Sequence, residues 1–570
     1  MKKLIECVPN FSEGRNPEII NAIADSIRKS GNEGQVKILN IDPGEATNRT
    51  VITFAGTPEA VVEAAFQGAR KAAELIDMRQ HHGAHPRSGA TDVLPLIPIS
   101  GITLEECAEL SRKLAERIYN ELGIPCYCYE AAAYKPERKN LAVCRAGEYE
   151  ALPEKLKDPE RRPDFGPESY NKTVARSGAS NVGARDFLIA VNFNLNTTST
   201  RRANAIAFDV REKGRPKREG NPLTGKIVRD ADGNPVMIPG TLEGCKAIGW
   251  YIDEYGIAQV SMNITDIHAT PLHKAFEEVC RAAQARGLRV TGTEIVGLVP
   301  KSSLIDAGKY FLEKQQRSTG ISEEEIMKIA IKSMGLDDLK PFDPKEKVIE
   351  YLMVDEKEQA EKERLIRFSC KEFAVETASE SPAPGGGSIS AYMGALAAAL
   401  GTMVANLSSH KRGWDDRWKE FSDHAEKGQA IMNELLALVD EDTAAFNRIM
   451  AALGMPKGND EEKAARSKAL EEATLYATQV PLKTMKAALK AFPLLEAMAK
   501  DGNPNSVSDA GVGALAARSA VLGARLNVRI NAAGLKDREK ADALTAECEK
   551  VAADAIAFET KILDIVNSKI

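Results

Sequence analysis

Apolar positions along the first third of the chain follow two spacings. Runs in which every second residue is apolar are typical of strands, and apolar residues three and four apart predict helices between them. Thr103 and Glu106 form a capping-box pattern at the start of one helix, and Gly123 ends it. The predicted order is βαββαβ, then an added helix and strand, with the first strands at Leu4–Val8, Val36–Ile41, Arg49–Ala55 and Asp92–Ile99.

The same order of elements recurs between Phe187 and Val299. We therefore expect two α/β sandwich subdomains of the βαββαβ, ferredoxin-like type, at residues 1–183 and 184–333, with a ligand cleft between them. Residues 215–240, rich in Gly, Pro, Lys and Asp, predict a long surface hairpin or loop within the second subdomain.

The character of the sequence changes after Gly320. Charged runs around Pro341 and Pro344 predict a linker with short helices at residues 334–364. Beyond Leu365 every clear pattern is helical, so residues 365–570 should form an all-α bundle.

Composition limits the classes of partner. The 570 residues include 76 Lys+Arg and 82 Asp+Glu, a net charge of −6, which argues against nucleic acid. Nine cysteines without a Cys-x-x-Cys pair predict reduced thiols and a cytoplasmic protein. The uncharged run 381–409 is long enough to span a membrane, but Ala, Gly and Ser dominate it, so we expect a buried helix and no membrane contact.

Three of the seven histidines, His81, His82 and His85, fall within five residues, next to Pro86 and Arg87. Histidine is the usual proton carrier near neutral pH, and Arg87 could hold an anionic substrate beside it. Two alternatives stay open: a His-x-x-x-His pair could bind a metal from one helix face, or the rings could be solvated at a helix end. Because no third ligand is obvious nearby, an acid/base site is the favoured interpretation.

A carboxylate is the candidate group of the helical region. Five positions three and four residues apart share one predicted helix face: Leu435, Leu438, Asp442, Ala445 and Ile449. This face turns Asp442 inward while Asp440 points elsewhere. Burial raises the pKa of a carboxylate, which suits a proton shuttle near pH 7; a structural carboxylate bonded by a neighbouring helix is the alternative.

A glycine-rich turn, Pro384-Gly385-Gly386-Gly387-Ser388, leads into the small-residue helix. The free N–H groups at such a helix start attract anions, although helix capping explains the turn as well. The turn is therefore a second candidate feature of this region.

Several motifs resemble those of the formimidoyltransferase-cyclodeaminase family. The N-terminal ones are Val8-Pro9-Asn10-Phe11-Ser12-Glu13-Gly14, Thr47-Asn48-Arg49-Thr50, His85-Pro86-Arg87, Arg145-Ala146-Gly147-Glu148-Tyr149-Glu150, Asp164-Phe165-Gly166-Pro167 and Ala247-Ile248-Gly249-Trp250-Tyr251. The C-terminal half, through the glycine-rich turn and residues 439–446, is similar to formimidoyltetrahydrofolate cyclodeaminases and to methenyltetrahydrofolate cyclohydrolases. Together these motifs cover nearly the whole chain.

The resemblance implies a two-step folate reaction in histidine degradation. The first half would transfer the formimino group from N-formimidoyl-L-glutamate to N5 of tetrahydrofolate, and the second would close the ring to N10 and expel ammonia, leaving 5,10-methenyltetrahydrofolate. Tetrahydrofolate, in its polyglutamylated form, would be a co-substrate, and no metal is expected. The family also implies a homo-oligomer.

The resemblance assigns roles to particular residues. The two proton carriers fall on His85 and Asp442, and Asp42 matches a carboxylate close to the histidine. Arg49 and Arg87 are candidates for the substrate carboxylates. The folate-contacting residues of the first half fall on Gly166, Pro167, Glu168, Ser169, Tyr170, Ser177 and Gly178. Those of the second half fall on Lys468, Ala469, Leu470, Glu471, Glu472, Ala473, Thr474, Leu475 and Tyr476.

Other functions are carried as alternatives. The C-terminal half could act as a methenyltetrahydrofolate cyclohydrolase, the histidine cluster could belong to a metallohydrolase, or the chain could bind folate without catalysis. Stoichiometric metal and chelator sensitivity would indicate the metallohydrolase. Turnover of formimidoylglutamate and tetrahydrofolate would exclude silent binding.

Overall fold

The computed structural model describes residues 3–30, 35–45, 47–83, 86–221, 224–354, 363–381 and 383–570. These residues cluster into two compact units. The first contains the described residues of Met1–Asp306 and Met334–Val354, and the second those of Ala307–Ser333 and Asp355–Ile570. The first unit is α/β and the second is helical, as the sequence predicts.

The first sheet contains seven strands within the described ranges: β1 Leu4–Cys7, β2 Asn10–Phe11, β3 Val36–Gly44, β4 Arg49–Gly56, β5 Thr91–Ser100, β6 Cys126–Glu130 and β7 Ser180–Ala184. Strands β1 and β2 follow one another between β4 and β5, β3 lies outside β4, and β7 and β6 continue the sheet in parallel beyond β5.

Helices α1 Pro17–Arg28, α2 Pro58–Leu75 and α3 Leu104–Leu122 pack on this sheet around Phe54, Phe66 and Leu94. The capping box of Thr103 and Glu106 forms as predicted, and Gly123 ends α3 with φ 69°. Short helices α4 Leu141–Arg145, α5 Leu152–Lys155 and α6 Lys172–Ser177 connect β6 to β7. The predicted strands and helices of this part are therefore confirmed to within a few residues.

The second sheet is antiparallel, in the order β11–β12–β8–β13, where β8 is Ile189–Leu195, β11 Cys245–Ile252, β12 Ile257–Ile264 and β13 Val290–Val296. Helices α7 Thr200–Val210 and α8 Leu272–Gln284 complete a β-α-β-β-α-β element order. The insertion predicted at 215–240 carries a small hairpin of β9 Arg215–Pro216 and β10 Met237–Ile238.

Residues 334–354, predicted as a linker, are bonded to the second sheet. The Thr293 N–H donates to the carbonyl of Gly335 (2.9 Å), and Asn194 Nδ2 donates to Asp338 (3.1 Å). This segment contains α11 Pro344–Lys347 and α12 Ile349–Leu352, whereas the preceding helices α9 Lys301–Lys314 and α10 Glu323–Met334 lie largely in the helical unit. The boundaries between the two units therefore fall at residues other than the predicted domain bounds. The predicted domain bounds themselves stay a prediction.

The helical unit is built on α13 Cys370–Thr377, α14 Gly386–Ser409, α15 Trp418–Leu453, α16 Asp460–Leu489, α17 Ala491–Asp501, α18 Val507–Ala533 and α19 Arg538–Asn567. Its core is rich in alanine, which lets the helix backbones pack closely. Helix α14 is long and apolar enough to cross a membrane by length and composition, but 61% of that window is buried inside the protein, as in a core helix.

Candidate active sites

The histidine motif comprises His81, His82, His85 and Arg87. Its described histidines, His81 and His82, lie beyond the end of a helix and against a tight turn. Helix α2 ends at Leu75, and residues 81–83 have no regular structure. The His81 ring is buried, with Nε2 2.8 Å from the carbonyl oxygen of Asn48. A carbonyl only accepts, so Nε2 carries the proton and Nδ1 is free to accept a hydrogen bond from Nε of Arg87 (3.4 Å). Two of the interpretations from the sequence required His81 to lie on a helix face or to be solvated. His81 is instead buried and lies outside a helix.

Burial and neighbouring groups together influence the charge state of His81. Burial lowers its pKa, and the nearby Arg87 guanidinium lowers it further, while the hydrogen bond to Asn48 partly opposes both. Protonation of Nδ1 would also place two donors against each other at Arg87. Both ring nitrogens of His81 are thus engaged in hydrogen bonds, and this environment favours the neutral ring.

Arg87 is occupied by two carboxylates. Its guanidinium donates to both carboxylate oxygens of Glu150 (2.8 and 2.7 Å) and to Glu148 (2.9 Å). The hydrogen bond to Glu150 is the main reason that the pKa of Arg87 is raised. In this structure Arg87 therefore ties the histidine motif to residues 148–150.

Asn48 holds the turn that precedes Arg49. Its backbone adopts φ 47°, which Asn tolerates better than most residues, and its side chain accepts from the Gly14 N–H (3.0 Å) and donates to the His82 carbonyl (3.0 Å). Burial lowers the pKa of Arg49, and Arg145 lowers it further, while Asp92 and Asp42 oppose the shift. Asp42 itself is exposed on β3. This turn brings the Thr47–Thr50 motif against the histidine motif.

A buried ion pair that the sequence did not single out lies nearby. Asp92, which is 1% exposed, accepts from the Ser88 N–H (2.9 Å) and from the guanidinium of Arg145. Burial raises the pKa of Asp92, and Arg145 opposes that shift. Arg145 begins one of the recognised motifs, so membership of that motif was the available signal.

His85 lies outside the described residues, as does Ala84. The predicted folate stretch 166–178 is hydrogen-bonded near its C-terminal end to the segment that follows Arg87. The Ala90 N–H donates to the Ser177 carbonyl (2.8 Å), and Gly178 pairs with Gly89. Glu168, Ser169 and Tyr170 are exposed, Gly166 and Pro167 are half-buried, and Tyr170 meets Tyr149 at the hydroxyl groups (3.0 Å).

In the helical unit, Asp442 lies at the start of another helix. Its Oδ2 accepts from the hydroxyl of Ser388 (3.2 Å), and an ideal Cβ on Gly387 would lie 2.0 Å from Oδ1. Leu435, Leu438 and Ala445 are buried on the same face of α15, so the predicted helix face is confirmed. The glycine-rich turn therefore lies against the carboxyl group of Asp442, which is hydrogen-bonded to Ser388 of that turn.

Burial is the main influence on Asp442 and raises its pKa. The hydroxyl and the backbone N–H of Ser388 oppose the shift, because both stabilise the charged form. Ser388 was part of the recognised glycine-rich turn, but its link to Asp442 required knowledge of which helices pack together.

Asp440 has partners of its own. It points away from Asp442, but its carboxylate accepts from the backbone N–H groups of Leu365 (2.8 Å) and Ile366 (3.3 Å). Asp440 thus anchors the segment that precedes α13.

The predicted folate stretch 468–476 lies on α16, and its residues face different partners. The hydroxyl of Tyr476 donates to Glu441 (2.8 Å), next to Asp442 in sequence. Glu471 instead accepts from the backbone N–H groups of Lys536 (2.9 Å) and Asp537 (3.2 Å) near the start of α19. Only Tyr476 is thus linked to the Asp442 region by a hydrogen bond among the described residues.

A cavity of about 760 Å³ lies beside the turn of α15 that contains Asp442. Its wall includes Leu365, Asp440, Glu441, Thr443 and Asn447. Thr443 also lies 3.3 Å from the hydroxyl of Ser388, so this residue connects the cavity wall to the partner of Asp442.

Three family descriptions match successive parts of the chain. The formiminotransferase domain, N-terminal subdomain, matches residues 4–185, the formiminotransferase domain matches 190–354, and formiminotransferase-cyclodeaminase matches 369–550. The formimidoyltransferase-cyclodeaminase of Rattus norvegicus is 42% identical over 94% of this chain and 94% of its own length. The chain belongs to the formimidoyltransferase-cyclodeaminase family.

Relatives of each half alone are also found. The glutamate formimidoyltransferase of Streptococcus pyogenes is 40% identical over 55% of this chain and 94% of its own length. The methenyltetrahydrofolate cyclohydrolase of Methylorubrum extorquens is 39% identical over 34% of this chain and 93% of its own length. For this member of the formimidoyltransferase-cyclodeaminase family, the full-length relatives favour the bifunctional enzyme over a cyclohydrolase or a metallohydrolase. Within the described ranges, no three His, Cys, Asp or Glu side chains are arranged to hold a metal ion.

Proposed function

We propose that this protein carries both activities of its family. The α/β unit would transfer the formimino group from N-formimidoyl-L-glutamate to N5 of tetrahydrofolate, and the helical unit would cyclise the product to 5,10-methenyltetrahydrofolate and release ammonia. The observation that carries this proposal is the 42% identity to a formimidoyltransferase-cyclodeaminase along 94% of both chains.

In the first step, N5 attacks the formimino carbon and the glutamate nitrogen leaves with a proton. His85 would carry that proton, as the family resemblance implies. Both ring nitrogens of His81 are already bonded to Asn48 and Arg87. Arg49 and Arg87 are carried over from the family resemblance as the groups that would bind the carboxylates of formimidoylglutamate. Asp42 would favour the charged form of Arg49, because it opposes the lowering of the Arg49 pKa.

In the second step, N10 attacks the same carbon and ammonia leaves, so a proton must move from one nitrogen to another. Asp442 would take and return that proton. Its partner Ser388 is a hydroxyl, which donates to a carboxylate and accepts from a carboxylic acid, so both protonation states can be bonded. A lysine or arginine partner would instead stabilise only the charged form.

The adjoining cavity supports a substrate site near Asp442. Its volume of about 760 Å³ lies in the range of about 300–1,000 Å³ that is typical of small-molecule sites. We infer that the folate lies along the wall formed by Glu441, Thr443 and Asn447, with Tyr476 at its edge.

Finer features of the proposal rest on separate observations. The order β11–β12–β8–β13 with its βαββαβ connections supports a ferredoxin-like second subdomain. None of the nine cysteines forms a disulfide, which supports a reducing, cytoplasmic location. Exposed apolar residues of α18, such as Leu526 (66%) and Ile530 (71%), support a homo-oligomer. Use of polyglutamylated tetrahydrofolate is carried over from the family resemblance.

The test is to mix the protein with formimidoylglutamate and tetrahydrofolate and to follow glutamate, ammonia and the methenyl product together. Equal yields of all three are expected. The Asp442→Asn variant should release glutamate but no ammonia, and 5-formimidoyltetrahydrofolate should accumulate. Asp423→Asn is the matched control, because Asp423 is an exposed carboxylate on the same helix. Ammonia release by a folded Asp442→Asn protein at the wild-type rate would contradict the assignment.

A further inference from the structure

The carboxylate of Asp442 is held by neutral partners. The hydroxyl of Ser388 donates to it, and the backbone N–H of Ser388 acts on it as well. Ser388 is fully buried and lies in the first turn of α14, where the N–H groups have no helical acceptor. The first turn of this helix is therefore built against the carboxylate.

The charged groups around Asp442 are engaged elsewhere. On its own helix, Asp440 accepts from Leu365 and Ile366, and Glu441 accepts from Tyr476 and Lys483 of α16. On α14 the contacts come from Gly387 and Ser388, which carry no charge. Among the described residues, no cation forms an ion pair with Asp442.

The hydroxyl of Ser388 has a second partner, Oγ1 of Thr443, at 3.3 Å. When Asp442 is ionised, Ser388 donates to the carboxylate and accepts from Thr443. When Asp442 is protonated, the directions reverse: the acid donates to Ser388, and Ser388 donates to Thr443. The two hydroxyls can thus follow the proton of Asp442 without moving a heavy atom.

We propose that Ser388, oriented by Thr443, is a positioning residue that sets the proton affinity of Asp442 in the cyclodeaminase step. This inference rests on the proposed function, since it assumes that Asp442 is the proton carrier. The Ser388 hydroxyl can bond both forms of Asp442, but its hydrogen bond to the charged form is the stronger one. Without the hydroxyl, the carboxyl should therefore hold its proton to higher pH.

The decisive experiment compares pH profiles of ammonia release from 5-formimidoyltetrahydrofolate. In Ser388→Ala, the limb that reports Asp442 should move to higher pH by about one unit, the shift expected from one lost hydrogen bond to a charged group. Ser390→Ala is the matched control, because Ser390 is buried on the same helix but donates to the Gly386 carbonyl (2.6 Å). Its profile should match that of the wild type.

A double-mutant cycle tests the role of Thr443. Thr443→Val should alter the profile when Ser388 is present and add nothing when residue 388 is already alanine. If Ser388→Ala does not fold, Ser388→Cys keeps a side chain of similar shape with a weaker donor and should show a smaller shift in the same direction.

The outcomes separate the two hypotheses. An unshifted Ser388→Ala profile, with Asp442→Asn folded and inactive, would overturn the role of Ser388 and leave the proposed function intact. An active Asp442→Asn protein would overturn the assignment of Asp442 itself.

Discussion

Gly387 lies so close to Asp442 that a single added carbon would occupy the position of the carboxylate. An ideal Cβ on Gly387 would be 2.0 Å from Oδ1 and 2.4 Å from Cγ of Asp442. The neighbouring Gly386 has room, because its ideal Cβ would meet Nδ2 of Asn527 at 3.4 Å. Two adjacent glycines of one turn therefore have different reasons to lack a side chain.

We predict that Gly387→Ala displaces Asp442 and removes ammonia release, by a factor on the order of 10²–10⁴ if the carboxylate loses its acid/base position. Formimino transfer should be unaffected, since it belongs to the other unit. Gly386→Ala is the control and should keep both activities. Steady-state rates of the two half-reactions check this, and an active Gly387→Ala protein would show that Asp442 tolerates displacement.

The histidine motif gives a second prediction. His85→Ala should lower formimino transfer by about 10²- to 10⁴-fold without changing the unfolding temperature. His81→Ala should instead destabilise the protein by about 1–3 kcal/mol, because the Asn48 carbonyl and Nε of Arg87 both lose their partner. His82→Ala, at the exposed neighbour, is the control for both. Equal loss of transfer per folded molecule in the His81 and His85 variants would contradict the division of roles.

Asp440→Asn provides the third prediction. The amide that replaces one oxygen would present a donor to the backbone N–H groups of Leu365 and Ile366, so one accepted hydrogen bond is lost. We expect a loss of about 1–3 kcal/mol in the helical unit and faster hydrogen exchange at these two amides. Unchanged exchange at Leu365 would show that the anchor is not needed.

The fourth prediction concerns Glu6 of β1, which is 4% exposed. Burial raises its pKa from 4.5 to about 7, although Arg185 partly opposes the shift. The folded protein thus binds one more proton than the unfolded chain between these pH values, so the free energy of unfolding falls as pH rises through that window. The fall amounts to about 3 kcal/mol.

Glu6→Gln should remove this slope from a plot of unfolding free energy against pH. Glu116→Gln, at an exposed carboxylate of α3, should retain it. Denaturant titrations at pH 4.5, 5.5, 6.5 and 7.5 make the comparison. Identical slopes in Glu6→Gln and the wild type would mean that Glu6 does not take up the proton.

Local sequence patterns predicted the helices, the strands and the inward-facing Asp442. They did not predict which residues each of these contacts. The spacing of Leu435, Leu438 and Ala445 was enough to place Asp442 on the buried face, because helix periodicity is a local property. That the glycine-rich turn receives this carboxylate depends on how α14 packs against α15, which no local pattern encodes. The same holds for Asp440, whose partner backbone lies 75 residues away in sequence.

The histidine motif shows a different limit of the sequence. The sequence predicts an acid/base site there, but the positions of the three rings along the chain do not show which ring carries the proton. The contacts of His81 with Asn48 and Arg87 depend on a turn that is 33 residues earlier in the chain. Sequence spacing finds such a cluster, but the hydrogen bonds of each ring depend on the tertiary fold.

The assignment of residues to the two units has a consequence for how the chain could be divided. The polypeptide passes from the first unit to the second after Asp306, returns at Met334 and leaves again after Val354. A single cut by a protease therefore cannot yield two fragments that each hold all of one unit and nothing of the other. A cut after residue 333 would strip the Gly335 and Asp338 partners from the second sheet and leave part of the helical unit on the wrong piece.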